Sequence, residues 1–276
     1  MIDVSIIIVG TNELKFVFGS LDSITKSDAN YKIEVILVDN ASCDGTSDMV
    51  RKSFSNVRII RSERKMGYIE ANNMALKTTS GRYILILNSD IELKNDTIQV
   101  MVGFMDRHPD AAVSACKLVF DDGTLQLTCR RFPTPLSYIF RIPHFLRWLK
   151  IGKKLAVSRP VHRYLMMDYD HKKTIPVDWL LSAFFLMRSS AVREIGLLDE
   201  RLIPPFYLED VDWCFRAHLK GWRVYYVPEV YAVHHYKRGS VKRFSKLSIV
   251  HLLNIIIFFN KHALSMFLKK HRKGQR

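Results

Sequence analysis

Four polar clusters in this chain carry the residue types that metal-assisted group transfer uses. Asn88-Ser89-Asp90 directly follows the apolar run Ile84 to Leu87, with Glu92 two positions further on. A carboxylate at the end of a buried strand is placed to hold Mg²⁺ or Mn²⁺, ions bound through one or two carboxylates together with substrate phosphates. A polar turn capping the strand is the structural alternative. Glu209-Asp210-Val211-Asp212 forms the second cluster. Acids in the first turn of a helix gain about 0.3 to 1 kcal/mol from the macrodipole, yet that does not account for three in four residues. In the helix predicted there, Val211, Cys214, Phe215 and His218 make the apolar stripe. Asp210 then falls at its edge, where a carboxylate can accept the proton of an acceptor hydroxyl as general base. His234-His235 is the third cluster, suited to a Mn²⁺-like ion or to a structural role. Asp39 and Asn40 are the fourth: Asp39 can accept a hydrogen bond from a base or ribose, and Asp44 is the better helix N-cap.

The elements that must position these residues are legible over the first 120 positions. Residues Asp3 to Val9, Ile33 to Asp39, Val57 to Arg61 and Arg82 to Asn88 are short runs rich in β-branched residues, separated by helix-length segments at 13–26, 44–54 and 67–79. Strands joined by helical crossovers predict a parallel α/β sheet, Rossmann-like and covered by helices on both faces, with ligands bound beyond the carboxyl ends of its strands. That rule selects Gly10, Thr11 and Asn12, then Asp39 and Asn40, then Asn88, Ser89 and Asp90. Residues 130–176 carry five prolines among basic and aromatic residues, which reads as a helical excursion or mobile loop over the site. Order resumes with a strand-like run from Leu180 to Met187 and a short helix from Ser189 to about Gly196. A helix from Glu209 to Lys220 follows, closed by Gly221, and then a strand from Val224 to Val227.

The formal charge is +15, and its distribution matters more than its sum. Nine Lys or Arg and no acid lie between Gly123 and Met167, and eleven more without an acid lie between Lys237 and Arg276. Setting those twenty aside leaves 22 basic residues against 27 acidic ones. A basic face and tail on a mildly acidic body suit an anionic membrane, where each Lys or Arg contributes roughly 1 kcal/mol. Four scattered cysteines and no secretory signal fit a reducing, cytoplasmic compartment. The stretch Leu247 to Leu268 is interrupted by His251, Asn254, Asn260, Lys261 and His262. It is too broken for the roughly 20 apolar residues of a spanning helix. An amphipathic helix at the membrane interface and packing of Ile255 to Phe259 on the chain's own core are the two readings of it. Residues 1–240 are thus expected to form the catalytic domain and 241–276 a basic tail.

Together these stretches resemble the family 2 glycosyltransferases over about residues 3 to 240. The matching segments are VSIIIVGTN (4–12), EVILVDNASCDGT (34–46), MGYIEANNMAL (66–76), GRYILILNSDIEL (81–93), LSAFFLMR (181–188), FYLEDVDWCFRAHLKGWRVYYVPE (206–229) and AVHHYKRGS (232–240). CRRFPT (129–134), MMDYDH (166–171) and VDW (177–179) further resemble the bacterial rhamnosyltransferase branch. The resemblance implies a GT-A fold and an inverting, divalent-metal-dependent transfer from a nucleotide-sugar donor, first choice dTDP-rhamnose. The acceptor it implies is a lipid-linked saccharide of a cell-surface glycan. It implies that Asp39 holds the donor's base, within a donor site of Thr11, Asn12, Asn40, Gly67, Asn73, Asn88, Ser89 and Asp90. Asp90 and His234 would carry the metal, Asp210 would be the base supported by Glu209, and Asp178 and Trp179 would border the acceptor. Thr11 stands where the family usually has tyrosine, Lys65 where asparagine is common and Ser182 where glycine is usual.

Two other classes compete. A metal-dependent sugar nucleotidyltransferase needs a glycine- and base-rich triphosphate loop after the first strand, and GTNELK offers one glycine and one lysine. A non-catalytic nucleic-acid binder needs aromatic platforms in a recognised module beside its charge, and no such motif occurs.

Overall fold

The computed structural model describes residues 1–28, 30–134, 159–204, 208–235, 250 and 253–263. Its first half follows the predicted alternation. Strands β1 (Val4–Gly10), β2 (Ile33–Asn40), β3 (Val57–Ser62) and β4 (Tyr83–Asn88) pair in parallel in the order β3-β2-β1-β4. They are linked through α1 (Leu14–Thr25), α2 (Thr46–Ser53) and α3 (Tyr68–Leu76). Ile6, Ile7 and Ile8 are consecutive in β1 and all 0 % exposed, so both faces of that strand are covered.

Beyond β4 the sheet changes character. After β5 (Ile91–Leu93) and α4 (Thr97–Arg107) come β6 (Ala111–Val119), β7 (Leu125–Gln126) and β8 (Cys129–Arg130). Next are α5 (Arg159–Tyr164), β9 (Ile175–Val177), β10 (Trp179–Leu180), β11 (Phe184–Arg188), α6 (Ser189–Ile195), α7 (Glu209–Leu219) and β12 (Arg223–His234). Strand β11 inserts antiparallel between β4 and β6, β12 runs parallel to β6, and β5 closes the far edge antiparallel to β12. The run predicted as one strand from Leu180 is therefore two, β10 pairing with β8 in a small separate sheet and β11 in the main one. The strand predicted to stop at Val227 continues past Pro228 to His234, with its register on β6 shifting between Val227 and Tyr231. Proline donates no ladder hydrogen bond, and a register irregularity is where a strand can carry one. Within the 130–176 excursion, residues 135–158 lie outside the described residues.

The C-terminal helix, described over 253–263, packs on the domain. Ile255 and Phe258 join the hydrophobic core, while Leu253 and Ile256 face outward. The side chain of Asn254 clamps the backbone of Ile203 through both its amide groups. Polar bonds complete the docking: Lys261 Nζ and His262 Nε2 both reach Asp212 Oδ1, at 2.6 and 2.7 Å. Arg216 holds the other oxygen of the same carboxylate at 2.8 Å. No helix among the described residues is long and apolar enough to cross a membrane.

Candidate active site

The carboxyl ends of β1, β2 and β4 open into a cavity of about 780 Å³. Thr11, Asn40, Gly67, Asn88, Ser89 and Asp90 line it, as do Glu13, Arg64, Lys65, Tyr68, Ser182 and Glu209. The loops after β1 and β2 interlock behind this surface. Asn12 and Ala41 both adopt left-handed backbone, with φ of 52° and 58°. Asn12 Oδ1 accepts the Cys43 N–H at 2.8 Å, and the Asn12 N–H donates to Ser42 Oγ. Asp39 is buried and accepts from the Ser42 N–H and the Ser47 hydroxyl, with the Arg61 guanidinium 4.0 Å away. Asn40 both donates to the Met66 carbonyl and accepts from its N–H. That clamp sets the start of α3 and the wall at Gly67, where a Cβ would come within 3.0 Å of Pro204.

Asn73 braces α3 from behind the cavity. Its amide donates to Leu198 O and Glu200 and accepts from the Leu198 N–H. Of the nine donor-side residues expected, six line the cavity; Asp39 and Asn73 are buried and Asn12 is exposed, all three outside its lining.

The opposite wall comes from far along the chain. The Asn88 N–H donates to the Ala183 carbonyl at 2.9 Å, bringing the β10–β11 connection against the end of β4. Ser182 in that connection meets both acids of α7: its hydroxyl donates to Glu209 Oε1 at 3.0 Å and its N–H to Asp210 Oδ2 at 3.3 Å. Glu209 lines the cavity, and Asp210, the next residue of α7 and 6 % exposed, is outside its lining. Burial, and then the adjacent Glu209 charge, push the Asp210 carboxyl well above the usual carboxylate range. A carboxylate raised in this way holds a proton more tightly than a solvated one and, when ionised, is a stronger proton acceptor. Leu208, which leads into α7, has φ of 81°. A branched side chain in that region is strained, and the burial of Leu208 in the core holds it there. The backbone turn that aims Glu209 and Asp210 is thus fixed by packing.

Asp90, 21 % exposed, faces His234 on β12, with Oδ1 3.2 Å from Nε2. The other ring nitrogen of His234 lies 2.7 Å from Gln126 Oε1. An amide oxygen accepts, so Nδ1 carries a proton. Nε2 then faces the Asp90 carboxylate, a pair that could share a cation. Adjacent ligands of an octahedral ion at about 2.1 Å are about 3 Å apart, and the 3.2 Å separation fits that arrangement. Among the described residues no group of three or more His, Cys, Asp or Glu could hold a metal. A cation here would therefore have two protein ligands and draw the rest from substrate phosphates and water.

Asp178 and Trp179 lie outside this cavity's lining. Asp178 Oδ2 accepts the Phe132 N–H at 2.7 Å. Trp179 is buried, donates Nε1–H to Arg131 O and stacks beneath Arg130. Among the lining residues, Glu13, Arg64 and Tyr68 had not been singled out from the sequence. Tyr68 donates toward Asn88 Oδ1 and the Ser182 carbonyl and so bridges the two walls. Its position beside Gly67 was the available signal; Glu13 lay in a helix-length stretch with nothing to mark it.

A mixed sheet whose parallel half ends in a polar cavity, closed by carboxylates from a later helix, is the architecture of GT-A glycosyltransferases. Residues 5–172 match the profile of glycosyl transferase family 2, and the chain belongs to that family. Within it the chain stands close to bacterial rhamnosyltransferases. It is 27 % identical over 259 residues to the rhamnosyltransferase WbbL of Escherichia coli K12, covering 90 % of this chain and 89 % of WbbL. It is 25 % identical over 253 residues to the N-acetylglucosaminyl-diphospho-decaprenol L-rhamnosyltransferase of Mycobacterium tuberculosis, covering 84 % and 76 % of the two chains. Among solved structures, Staphylococcus aureus TarS 1–349 in complex with UDP-GlcNAc superposes with a TM-score of 0.60 at 20 % identity. That match covers 88 % of this chain and 61 % of the TarS chain. GalNAc-T7 with UDP, GalNAc and Mn²⁺ gives 0.66 at 16 % identity, over 94 % of this chain and 48 % of that one. Family membership decides for a glycosyltransferase over a sugar nucleotidyltransferase.

Proposed function

We propose that this glycosyltransferase moves a sugar, first choice L-rhamnose from dTDP-rhamnose, onto a hydroxyl of a lipid-linked saccharide, with inversion at the anomeric carbon. The observation that carries this reading is the shared cavity. Asp90, from the parallel half, and Glu209, which adjoins Asp210 on α7, border one space of about 780 Å³. The donor's nucleoside would lie over the ends of β1 and β2, near Thr11, Asn12, Asp39 and Asn40, with its diphosphate toward Asn88, Ser89 and Asp90. Lys65 brings positive charge to the same wall, where Arg64 is paired with Glu70. Asp90 and His234 would hold a divalent cation, which when bound supplies positive charge for the departing diphosphate.

Asp210 accepts the proton of the acceptor hydroxyl. The hydroxyl oxygen bonds to the anomeric carbon as the carbon–oxygen bond to the diphosphate breaks, and the electron pair leaves with the nucleoside diphosphate. Glu209 holds Asp210 basic through its charge, and Ser182 orients both carboxylates. One displacement needs no protein nucleophile.

The acceptor assignment rests on the two rhamnosyltransferase relatives, one of which is named for a diphospho-decaprenol acceptor. We take residues 1–240 as the catalytic domain and 241–276 as its basic, membrane-associating tail. The exposed Leu253 and Ile256 of the docked helix, and the lysines and arginines that flank it in the sequence at 237–246 and 269–276, outside the described residues, favour peripheral attachment to an anionic cytoplasmic membrane face. A donor screen reading nucleoside-diphosphate release, with Mg²⁺, Mn²⁺ and chelator compared, tests the proposal. The expected result is turnover of a deoxythymidine-diphosphate sugar that chelator abolishes. Turnover of no nucleotide sugar with any acceptor would overturn it.

A further inference from the structure

A second cavity, of about 890 Å³, has Asp178 at its border and is unlike the first in charge. Arg131, Arg159, His162 and Arg163 line it against two acids, Asp168 and Asp178. Both acids are already engaged: Asp168 pairs with Arg131 at 3.0 Å, and Asp178 accepts the Phe132 N–H. Arg159 and Arg163 are exposed, and neither has an acidic partner among the described residues. They are four residues apart in α5, on one helical face, a spacing at which like charges repel. An anion between them would relieve that repulsion, and guanidinium groups bind phosphate oxygens through paired N–H donors.

The position of this cavity indicates which anion. Asp178 is four residues before Ser182, whose N–H binds Asp210. An extended segment of four residues spans about 13 Å at most, the reach of a short saccharide. Resting on the transferase reading above, we propose that this cavity is the subsite for the diphosphate that joins the acceptor saccharide to its lipid. Arg159 and Arg163 bind its phosphates, so the sugar's free hydroxyl projects toward Asp210. An anionic membrane headgroup shares the phosphate chemistry. Its place at one end of the Asp178–Ser182 segment, whose other end binds Asp210, favours the acceptor's own diphosphate.

The test is the double variant Arg159→Ala/Arg163→Ala, whose exposed side chains leave the core untouched. Four readouts apply to it and to the wild type: calorimetric titration with farnesyl diphosphate, KM and kcat with a saccharide on farnesyl diphosphate, the same with that saccharide on a neutral alkyl chain, and binding to phosphatidylglycerol vesicles. Affinity for farnesyl diphosphate should fall, and KM for the diphosphate acceptor rise, by about ten-fold or more, the scale of losing one or two charge-assisted hydrogen bonds. Values of kcat, of KM for the neutral acceptor and for the donor, and vesicle binding should stay as in the wild type, and Arg159→Lys/Arg163→Lys should recover part of the loss. Unchanged farnesyl diphosphate affinity overturns the subsite. So does an equal rise in KM for both acceptors, or lost vesicle binding with intact farnesyl diphosphate affinity. If the wild type transfers no sugar, the transferase reading fails, and the farnesyl diphosphate titration still decides the subsite on its own.

Discussion

The two halves of the sheet reach the active site by different routes. In the parallel half, each polar residue stands directly after the strand that aims it: Thr11 after β1, Asn40 at the end of β2, Asn88 at the end of β4. In the mixed half nothing that matters is local. His234 meets Asp90 only because β12 pairs antiparallel with β5, Val233 opposite Glu92 and His234 opposite Ile91. Asp210 meets Ser182 because α7 packs on the small β8–β10 sheet beside β11. The parallel half is therefore a preformed cradle, and the mixed half brings reactive groups to it through contacts 28 to 144 residues apart in sequence. The proposed chemistry and metal binding should depend on that assembly, and binding of the nucleoside far less.

The largest break in this comparison is expected from Asp210→Asn. Transfer should fall by about 10³-fold, within the range for losing a general base, with donor affinity near normal; turnover close to wild type would remove Asp210 from the chemistry. Next is Asp212→Ala, which strands Arg216, Lys261 and His262 around a vanished carboxylate. Breaking a buried ion pair from one side costs about 3 kcal/mol or more, to be read as a lowered denaturation midpoint. Although burial works against its charge, the bonds from His262, Arg216 and Lys261 depress the Asp212 pKa. A depressed carboxylate stabilises the fold above its unfolded pKa and loses that contribution as pH falls through the folded one. The deficit of the variant should therefore shrink in acid below the ordinary carboxylate range, and a deficit independent of pH would assign it to packing alone.

Asp90→Ala sharpens the contrast from the other side. It should leave the metal-independent part of donor affinity, held by the cradle, and remove the metal-dependent part, a change of about ten- to a hundred-fold. Equal donor affinity with and without chelator in the wild type would argue against a cation at Asp90 and His234. The smallest effect is expected from Glu209→Gln. After burial, the Glu209 charge is the next cause raising the Asp210 pKa. Removing it lets Asp210 ionise more readily, so the acidic limb of the kcat/KM profile should move to lower pH. A limb that stays in place would detach Glu209 from the basicity of Asp210.

By itself the amino-acid sequence determined the cradle. β-Branched runs alternating with helix-length segments specify a parallel sheet, and the residues that follow such strands border its ligand crevice whatever else the chain does. It also marked Glu209-Asp210 and His234, through acids denser than a helix start requires and imidazoles at a strand end. What only the tertiary structure decided was how these residues share one space. It left Asn12, Asp39 and Asn73 outside the cavity's lining and brought Tyr68 and Ser182 into its wall. The insertion of β11 between β4 and β6 carried Ser182 to the end of β4. Tertiary packing likewise carried β12 past Pro228 to deliver His234 and turned one face of the C-terminal helix onto the core. Hydrophobic period encodes which face of an element is buried, but pairing between strands distant in the chain is chosen by competition among all the buried faces at once. No local pattern records the outcome of that competition.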